Sequence, residues 1–174
     1  MRASQITWVI IPFWLVLTVL AFWWFEYRYW RFFAPITATF SGEQVNQLYA
    51  RVGVLGKVTV VHFANNDCVC NTYSKSHVSR LQARLSASHQ VTLAPLDDAL
   101  LNVAIPASPS TAIWDESGQL AYFGPYSSGA VCGEGQDFVS RVLDAISVKQ
   151  NPQWVNMVGL GCYCPWKNKE VRDV

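Results

Sequence analysis

The stretch Lys57-Val-Thr-Val-Val-His-Phe-Ala64 decides the fold, because a turn signal and two cysteines follow it at once. Its β-branched and aromatic residues predict a strand that is buried on both faces. The polar residues 65–67 predict a loop, and Cys68-Val-Cys70 then precedes apolar residues at helical spacing in 71–85. The segment therefore predicts a strand, a tight turn that carries two thiols, and a helix.

The elements predicted on either side complete an α/β order. They are a helix over 43–52, a strand over 90–96, a short helix over 97–103, a strand pair over 111–115 and 119–123, and a helix over 136–148. A strand–helix–strand unit pairs its strands in parallel, whereas the strand pair joined by Glu116-Ser-Gly118 is a hairpin and adds antiparallel strands. We expect a mixed sheet with helices on both faces.

The position of Cys68 between a strand and a helix favours nucleophilic chemistry. The first turn of a helix has unpaired N–H groups and a partial positive charge, which stabilise a thiolate and lower its pKa. Cys70 is close enough to resolve a mixed disulfide on Cys68. These residues predict a thiol–disulfide exchange site, closed by a disulfide within the C-x-C motif.

Phe63 and, five residues later, Cys68 resemble the corresponding residues of the thioredoxin superfamily, and residues 107–124 resemble its cis-proline segment and following hairpin. The resemblance implies a thioredoxin-like three-layer sandwich with a mixed sheet over 43–150. It also implies that Pro109 is the cis-proline, shapes the substrate groove and, with Ser108, faces the active-site cysteines.

The chain departs from that family pattern at the motif itself. It has C-x-C where the family has C-x-x-C, and Asp67 where a tryptophan is usual. It also resembles uncharacterised membrane-anchored thioredoxin-like proteins of proteobacteria. Protein thiols or disulfides, or a redox partner, are the expected partners, and no cofactor is expected for this function.

The remaining cysteines leave several interpretations open. Cys162 and Cys164 form a second C-x-C motif, which we interpret as a second redox pair or as partners in a structural disulfide with Cys132. The alternative hypothesis is a metal binding or delivery protein, in which the thiolates of Cys68, Cys70, Cys132, Cys162 and Cys164 bind Zn²⁺, Cu⁺ or an iron–sulfur cluster. A third hypothesis is a binding module that kept the fold and lost the chemistry. The spacings match neither a C-x₂-C zinc pair nor a ferredoxin motif.

Other polar and aromatic residues receive simpler interpretations. His62 lies in the predicted strand and is expected to pack in the core, whereas His77 and His89 are expected at the solvated surface. Tyr163 lies within the second motif and Trp166 follows it, and both are interpreted as a lid over the tail cysteines.

The N-terminal segment has a different composition from the rest. Residues 7–25 contain no charge, and half of the aromatic residues of the chain lie in the first 33 positions. A helix of this length spans a bilayer, and the aromatic residues at its downstream end are typical of a membrane interface. We expect a single-pass membrane anchor over 1–33, a linker over 34–42 and a cysteine-containing tail over 151–174. A cleaved signal peptide is the competing interpretation.

Composition and cysteine chemistry also predict the location and the partners. The net charge is +1 and charged residues make up 14% of the chain, so no basic surface for nucleic acid is expected. The basic residues on either side of the apolar segment leave its orientation ambiguous or slightly favour a cytoplasmic C-terminal part. The resemblance to proteobacterial proteins implies a bacterial inner-membrane protein. Because disulfides persist in oxidising compartments, we expect its soluble domain to face the periplasm.

Overall fold

The computed structural model describes residues 3–27, 30–36, 38–95, 105–129 and 137–166. The chain divides into two compact units, Met1–Trp30 and Arg31–Val174. The short helix predicted over 97–103 and the thiol of Cys132 lie outside the described residues.

The first unit is built on one apolar helix, α1 (Ala3–Tyr27), which contains Pro12. Its 25 residues correspond to a length of about 37 Å. Between Trp8 and Phe25 the helix is apolar enough to cross a membrane, and none of this window is buried in the protein. The predicted apolar helix is therefore present, with the length and composition that both a membrane anchor and a signal sequence require.

The second unit alternates helices and strands. In chain order they are β1 (Trp30–Phe32), α2 (Gly42–Val52), β2 (Thr59–Phe63), α3 (Cys70–Arg84), β3 (His89–Leu93), β4 (Ala107–Ser108), β5 (Ser110–Trp114), β6 (Leu120–Gly124), α4 (Phe138–Ser147), β7 (Trp154–Val155), β8 (Leu160–Cys162) and β9 (Cys164–Pro165). The helices and strands expected over 43–95 and 111–148 are confirmed, with small shifts at their ends.

A five-stranded sheet in the order β3-β2-β5-β6-β7 forms the centre of this unit. Strands β2 and β3 pair in parallel, with Val61 opposite Val91. Strand β5 pairs antiparallel with β2 and with β6, and β7 pairs in parallel with β6. The expected mixed α/β sheet is confirmed.

Strand β2 is fully buried because its side chains alternate between two hydrophobic clusters. Val61 and Phe63 belong to a first cluster, which contains residues of α2 such as Leu48. Val60 belongs to a second cluster, which contains residues of α3 and α4 such as Leu81 and Val142. Helices therefore cover both faces of the sheet, as the β-branched composition of β2 predicts.

The segment 151–166 joins this unit by forming three short strands, each of which pairs with another strand of the chain. Strand β7 joins the central sheet, while β8 pairs with β1 and β9 pairs with β4. Trp166 is fully buried in the first cluster, where its ring contacts Phe63 edge to face at 5.7 Å. The sequence shows little periodicity here, and these strands were not predicted.

Candidate thiol–disulfide site

The first motif lies at the turn between β2 and α3, as predicted. Helix α3 begins at Cys70, and no described side chain donates or accepts a cap hydrogen bond at Val69. The partial positive charge of the helix N-terminus therefore faces the two cysteines without a competing cap side chain.

The cysteines are bonded between the two motifs. Cys68 is bonded to Cys164, with their Cα atoms 5.7 Å apart, and Cys70 is bonded to Cys162, with their Cα atoms 5.5 Å apart. The expected disulfide within Cys68-Val-Cys70 is therefore wrong for this state, as is a disulfide from Cys132 to the tail. The reason is the antiparallel pairing of β9 with β4, which brings Cys164 opposite Ser108 and beside the turn.

The two disulfides are neighbours in space. The sulfur atoms of Cys68, Cys70 and Cys164 all lie within 4.8 Å of one another, and Cys162 is bonded to Cys70. In the described part of the chain, Cys68, Cys70 and Cys164 are also the side chains placed to hold a soft metal ion. The arrangement allows a thiolate formed at one bridge to reach a sulfur atom of the other.

The segment around Pro109 forms one wall of the site. The Ser108–Pro109 peptide bond is cis, as the family resemblance implies. The Cys68 sulfur lies 3.7 Å from the carbonyl oxygen of Ser108, and Pro109 borders a pocket with Cys70 and Cys162. The structure thus brings Ser108 and Pro109 to the cysteines with which they were predicted to lie.

Asn65 ties together the three segments that form the site. Its backbone N–H donates to the Ser108 hydroxyl at 3.2 Å, and its side-chain amide donates to the Pro165 carbonyl at 3.3 Å. Its own carbonyl accepts from the N–H of Cys68 at 3.0 Å and from the side-chain amide of Asn71. Because Asn65 is only 5% exposed, these hydrogen bonds hold the turn in one geometry.

Sequence reasoning placed Asn65 in a loop but missed this role. Its side-chain oxygen also accepts from the N–H of Asp67 at 3.1 Å, a local bond for which asparagine is favoured in turns. The neighbouring Asn66 is exposed, so the two asparagines have the same local propensity and different environments. The residue type alone indicates a turn at both asparagines. Only the long-range contacts of Asn65 with Ser108 and Pro165 distinguish it from Asn66.

Access to the sulfur atoms is limited and uneven. Cys68, Cys70 and Cys162 are buried, at 4%, 3% and 7% exposure, whereas Cys164 is half-buried. The pocket beside Cys70 and Cys162 has a volume of about 10 Å³, enough for about one water molecule. A large reactant therefore reaches Cys164 first.

His62 lies behind the site in the core, as predicted. Its Nδ1 atom is 2.6 Å from the hydroxyl of Tyr126, whose side chain also borders the pocket beside Cys70. Burial lowers the pKa of His62, and a hydrogen bond to Gln90 opposes this shift in part. Since its pKa lies below the ordinary value of 6.5, the imidazole is neutral near pH 7.

His77 departs from the expectation of a solvated surface residue. It is only 3% exposed, and its Nε2 atom lies 3.6 Å from Oδ1 of Asp137, which caps α4. Partial burial disfavours the charged carboxylate, but contacts with His77 and hydrogen bonds from Ser140 outweigh it and lower the pKa of Asp137 to about 2. The contact links α3, which carries the first motif, to α4.

These features define a class: a mixed α/β domain with two cross-linked C-x-C motifs, preceded by an apolar helix. The chain belongs to the family described as "Domain of unknown function (DUF6436)", which its residues 37–166 match. The match includes all four bridged cysteines.

Two further comparisons add little. None of the curated proteins matches the chain. A solved structure, described as an uncharacterized conserved protein from Geobacillus kaustophilus, is similar over 66% of this chain and 79% of that chain, at 15% sequence identity and a TM-score of 0.36. That likeness supports no conclusion about fold or function.

Proposed function

We propose that the protein is a membrane-anchored thiol–disulfide oxidoreductase of thioredoxin-like type, which exchanges disulfides with protein thiols. The observation that carries the proposal is the pair of adjacent disulfides, with the sulfur atoms of Cys68, Cys70 and Cys164 within 4.8 Å of one another. The cis Ser108–Pro109 segment supports it, because that segment contacts Cys68 and shapes the surface beside the disulfides.

The first step follows from the uneven burial of the sulfur atoms. A thiolate of a protein dithiol attacks Cys164, the least buried of the four cysteines, and forms a mixed disulfide with it. The Cys68–Cys164 bond breaks, and its electron pair leaves on Cys68. This thiolate is the favoured leaving group because the N-terminus of α3 stabilises its charge.

The second step releases the oxidised substrate. The second thiolate of the substrate attacks the substrate sulfur of the mixed disulfide and expels the Cys164 thiolate. The substrate has then lost two electrons and two protons, and the Cys68–Cys164 bridge has gained them as two thiols. The same steps in reverse reduce a substrate disulfide.

Relay to the second bridge follows from the short distance between sulfur atoms. The Cys68 thiolate attacks Cys70, forms a Cys68–Cys70 disulfide and releases Cys162 as a thiolate. The number of disulfides is unchanged, and both cysteines of the tail motif are then reduced. In this scheme the disulfide within the first motif is a product of exchange. Cys68 is the attacking thiolate of the relay, Cys70 becomes its disulfide partner, and Cys162 is the leaving thiolate.

Exchange on the purified protein tests this scheme directly. The oxidised full-length chain in detergent micelles is treated with one equivalent of a synthetic peptide that contains two cysteines, quenched with acid, alkylated and mapped by mass spectrometry. We expect loss of the Cys68–Cys164 linkage, oxidation of the peptide and appearance of a Cys68–Cys70 linkage. Cys132→Ser is the matched control and should behave like the native chain.

Two outcomes of that experiment contradict the proposal. One is an unchanged Cys68–Cys164 linkage after treatment with a tenfold excess of the peptide. The other is peptide oxidation at the native rate by the Cys68→Ser variant, which lacks the proposed leaving thiolate.

We also propose that α1 anchors the protein in a bacterial inner membrane with the second unit in the periplasm. The length and apolar composition of α1 support the anchor, and the disulfides support an oxidising compartment. A reporter that is active only in the periplasm, fused after Val174, should be active. A silent reporter, beside an active cytoplasmic reporter at the same position, would contradict this orientation.

A further inference from the structure

We infer that reduction of both disulfides turns the four bridged cysteines into a tetrahedral thiolate site for one Zn²⁺ ion. This goes beyond disulfide exchange, and it holds or fails independently of whether a protein substrate reacts. Three of the sulfur atoms, on Cys68, Cys70 and Cys164, already lie within 4.8 Å of one another. The fourth, on Cys162, is attached to the same cluster through Cys70.

The distances fit such a site after a small movement. A Zn–S bond of about 2.3 Å places the sulfur atoms of a tetrahedron about 3.8 Å apart. Among the sulfur atoms of Cys68, Cys70 and Cys164, those that are not bonded to each other approach by at most about 1 Å, and the bonded pairs separate once they are reduced. The sulfur atom of Cys162, which is outside this group of three, also moves to complete the tetrahedron. Side-chain rotation accomplishes this on a backbone whose paired Cα atoms are 5.7 Å and 5.5 Å apart.

Two contacts hold the turn of the first motif and the end of the second motif in place after the disulfides open. Asn65 joins the turn of the first motif to Ser108 and to Pro165, next to Cys164. Trp166 anchors the end of the second motif in the core, and its backbone N–H donates to the carbonyl of Pro106 at 3.3 Å. Neither contact depends on the disulfides.

The surroundings suit a closed site of the structural type. Three of the cysteines are less than 8% exposed, so the ion would be shielded from water. A tetrahedral set of four sulfur ligands is typical of zinc or iron–sulfur centres, and a mononuclear zinc thiolate carries a net charge of −2. The partial positive charge at the N-terminus of α3 stabilises that charge.

The reaction balances with a dithiol as the reductant. Each disulfide accepts two electrons and two protons from one dithiol, which becomes a disulfide, so two equivalents give four thiols. Zn²⁺ then binds four thiolates and displaces four protons. Oxidation to two disulfides removes all four ligands and expels the ion, so metal content reports the redox state of the protein.

Metal titration of the full-length chain in detergent micelles tests this inference. The protein is reduced with a phosphine under anaerobic conditions and titrated with Zn²⁺ against a chromophoric chelator, and in parallel with Co²⁺. We expect one equivalent of Zn²⁺ and the thiolate-to-metal and tetrahedral ligand-field bands of Co²⁺. The oxidised chain should bind neither ion at the site.

Matched variants identify the ligands. Cys132→Ser should bind one equivalent as the native chain does, whereas Cys162→Ser should lose at least tenfold in affinity, since loss of a ligand costs no less than loss of an outer-shell contact. Far-ultraviolet circular dichroism establishes whether the variants are folded. If Cys162→Ser is unfolded, the Co²⁺ band intensity of the native chain, compared with a four-thiolate standard, decides the ligand count.

The outcomes separate this inference from the proposed oxidoreductase. Stoichiometry well below one, equal binding by the oxidised chain, or loss of binding in Cys132→Ser would overturn the zinc site. So would an iron–sulfur spectrum in the anaerobically isolated protein. Peptide oxidation without zinc binding overturns only the zinc site, and zinc binding without peptide oxidation overturns only the oxidoreductase.

Discussion

The two C-x-C motifs have the same spacing, but the chain supports them in different ways. Cys68 and Cys70 lie between a fully buried strand of five residues and a helix of fifteen. Cys162 and Cys164 lie on strands of three and two residues. The first motif is positioned by regular structure, whereas the second depends on a few long-range contacts and on the disulfides. Two motifs with the same spacing in the sequence are therefore not held in place equally well by the structure around them.

The largest expected effect concerns the anchor of the second motif. Trp166→Ala removes a fully buried indole from the first cluster, and we expect a loss of about 3–5 kcal/mol in the free energy of unfolding. We also expect faster reduction of the Cys68–Cys164 bridge by a dithiol. Chemical denaturation of the oxidised chain in micelles, with alkylation to follow reduction, measures both.

Val158→Ala is the matched control for that variant. Val158 lies in the same segment but is 79% exposed, so its truncation should change stability by less than about 0.5 kcal/mol. Similar losses in both variants would show that Trp166 is not the anchor of the second motif.

An intermediate effect is expected at the residue that joins the motifs. Asn65→Ala removes the side-chain hydrogen bonds to Pro165 and Asp67, and leaves buried polar groups without partners. We expect a loss of about 1–3 kcal/mol in the free energy of unfolding, together with faster reduction of both bridges. Denaturation and timed alkylation measure these quantities.

Asn66→Ala provides the comparison for this position, because Asn66 is exposed and has the same residue type. It should leave both the stability and the reduction rates close to native. Native-like reduction rates in Asn65→Ala would mean that the disulfides alone hold the motifs together.

The smallest effect concerns Asp137, which caps α4 and contacts His77 of α3, the helix that follows the first motif. The pKa of Asp137 is about 2 in the folded chain against 3.8 for the ordinary group. The unfolded chain therefore binds more protons between these values, and the stabilisation is present above pH 3.8 and lost as the pH falls through about 2. After allowance for solvent exposure, the loss is about 1–2 kcal/mol.

Asp137→Asn should remove this pH dependence, because asparagine keeps an acceptor for the N–H of Ser140 at the helix cap but carries no charge. Ser140→Ala removes only the hydroxyl donor to Asp137 and should leave part of the pH dependence of the stability. Urea midpoints between pH 5 and pH 2 measure the effect, and thiol–disulfide exchange is suppressed in acid. A wild-type slope retained in Asp137→Asn would assign the pH dependence to other groups.

The sequence predicts the first motif better than the second for a physical reason. The β-branched run before Cys68 and the apolar spacing after Cys70 are local signals, and they identify β2 and α3 without any long-range contact. The hairpin of β5 and β6 is likewise identified by its turn residues, Glu116-Ser-Gly118. These parts of the fold require only the residues within each segment.

The short strands, the disulfide pairing and the burial of His77 depend on long-range contacts that a local sequence pattern does not indicate. Strands of two or three residues, such as β9, are too short for a period to be visible, and their pairing partners lie far away in the chain. The chain has five cysteines, any four of which allow three pairings, and spacing selects neither the four nor their pairing. His77 was misplaced because a polar side chain on a weakly amphipathic helix gives no sign that it is buried against Asp137.

The pairing between motifs has a consequence for the order in which the protein is made. The partners are separated by 96 and 92 residues, so Cys68 and Cys70 emerge about 5–20 s before the cysteines to which they are finally bonded. During that interval the available partners are each other and Cys132. The two final disulfides therefore form late in the synthesis of the protein, and they can form only after the segment through Trp166 has been synthesised and folded.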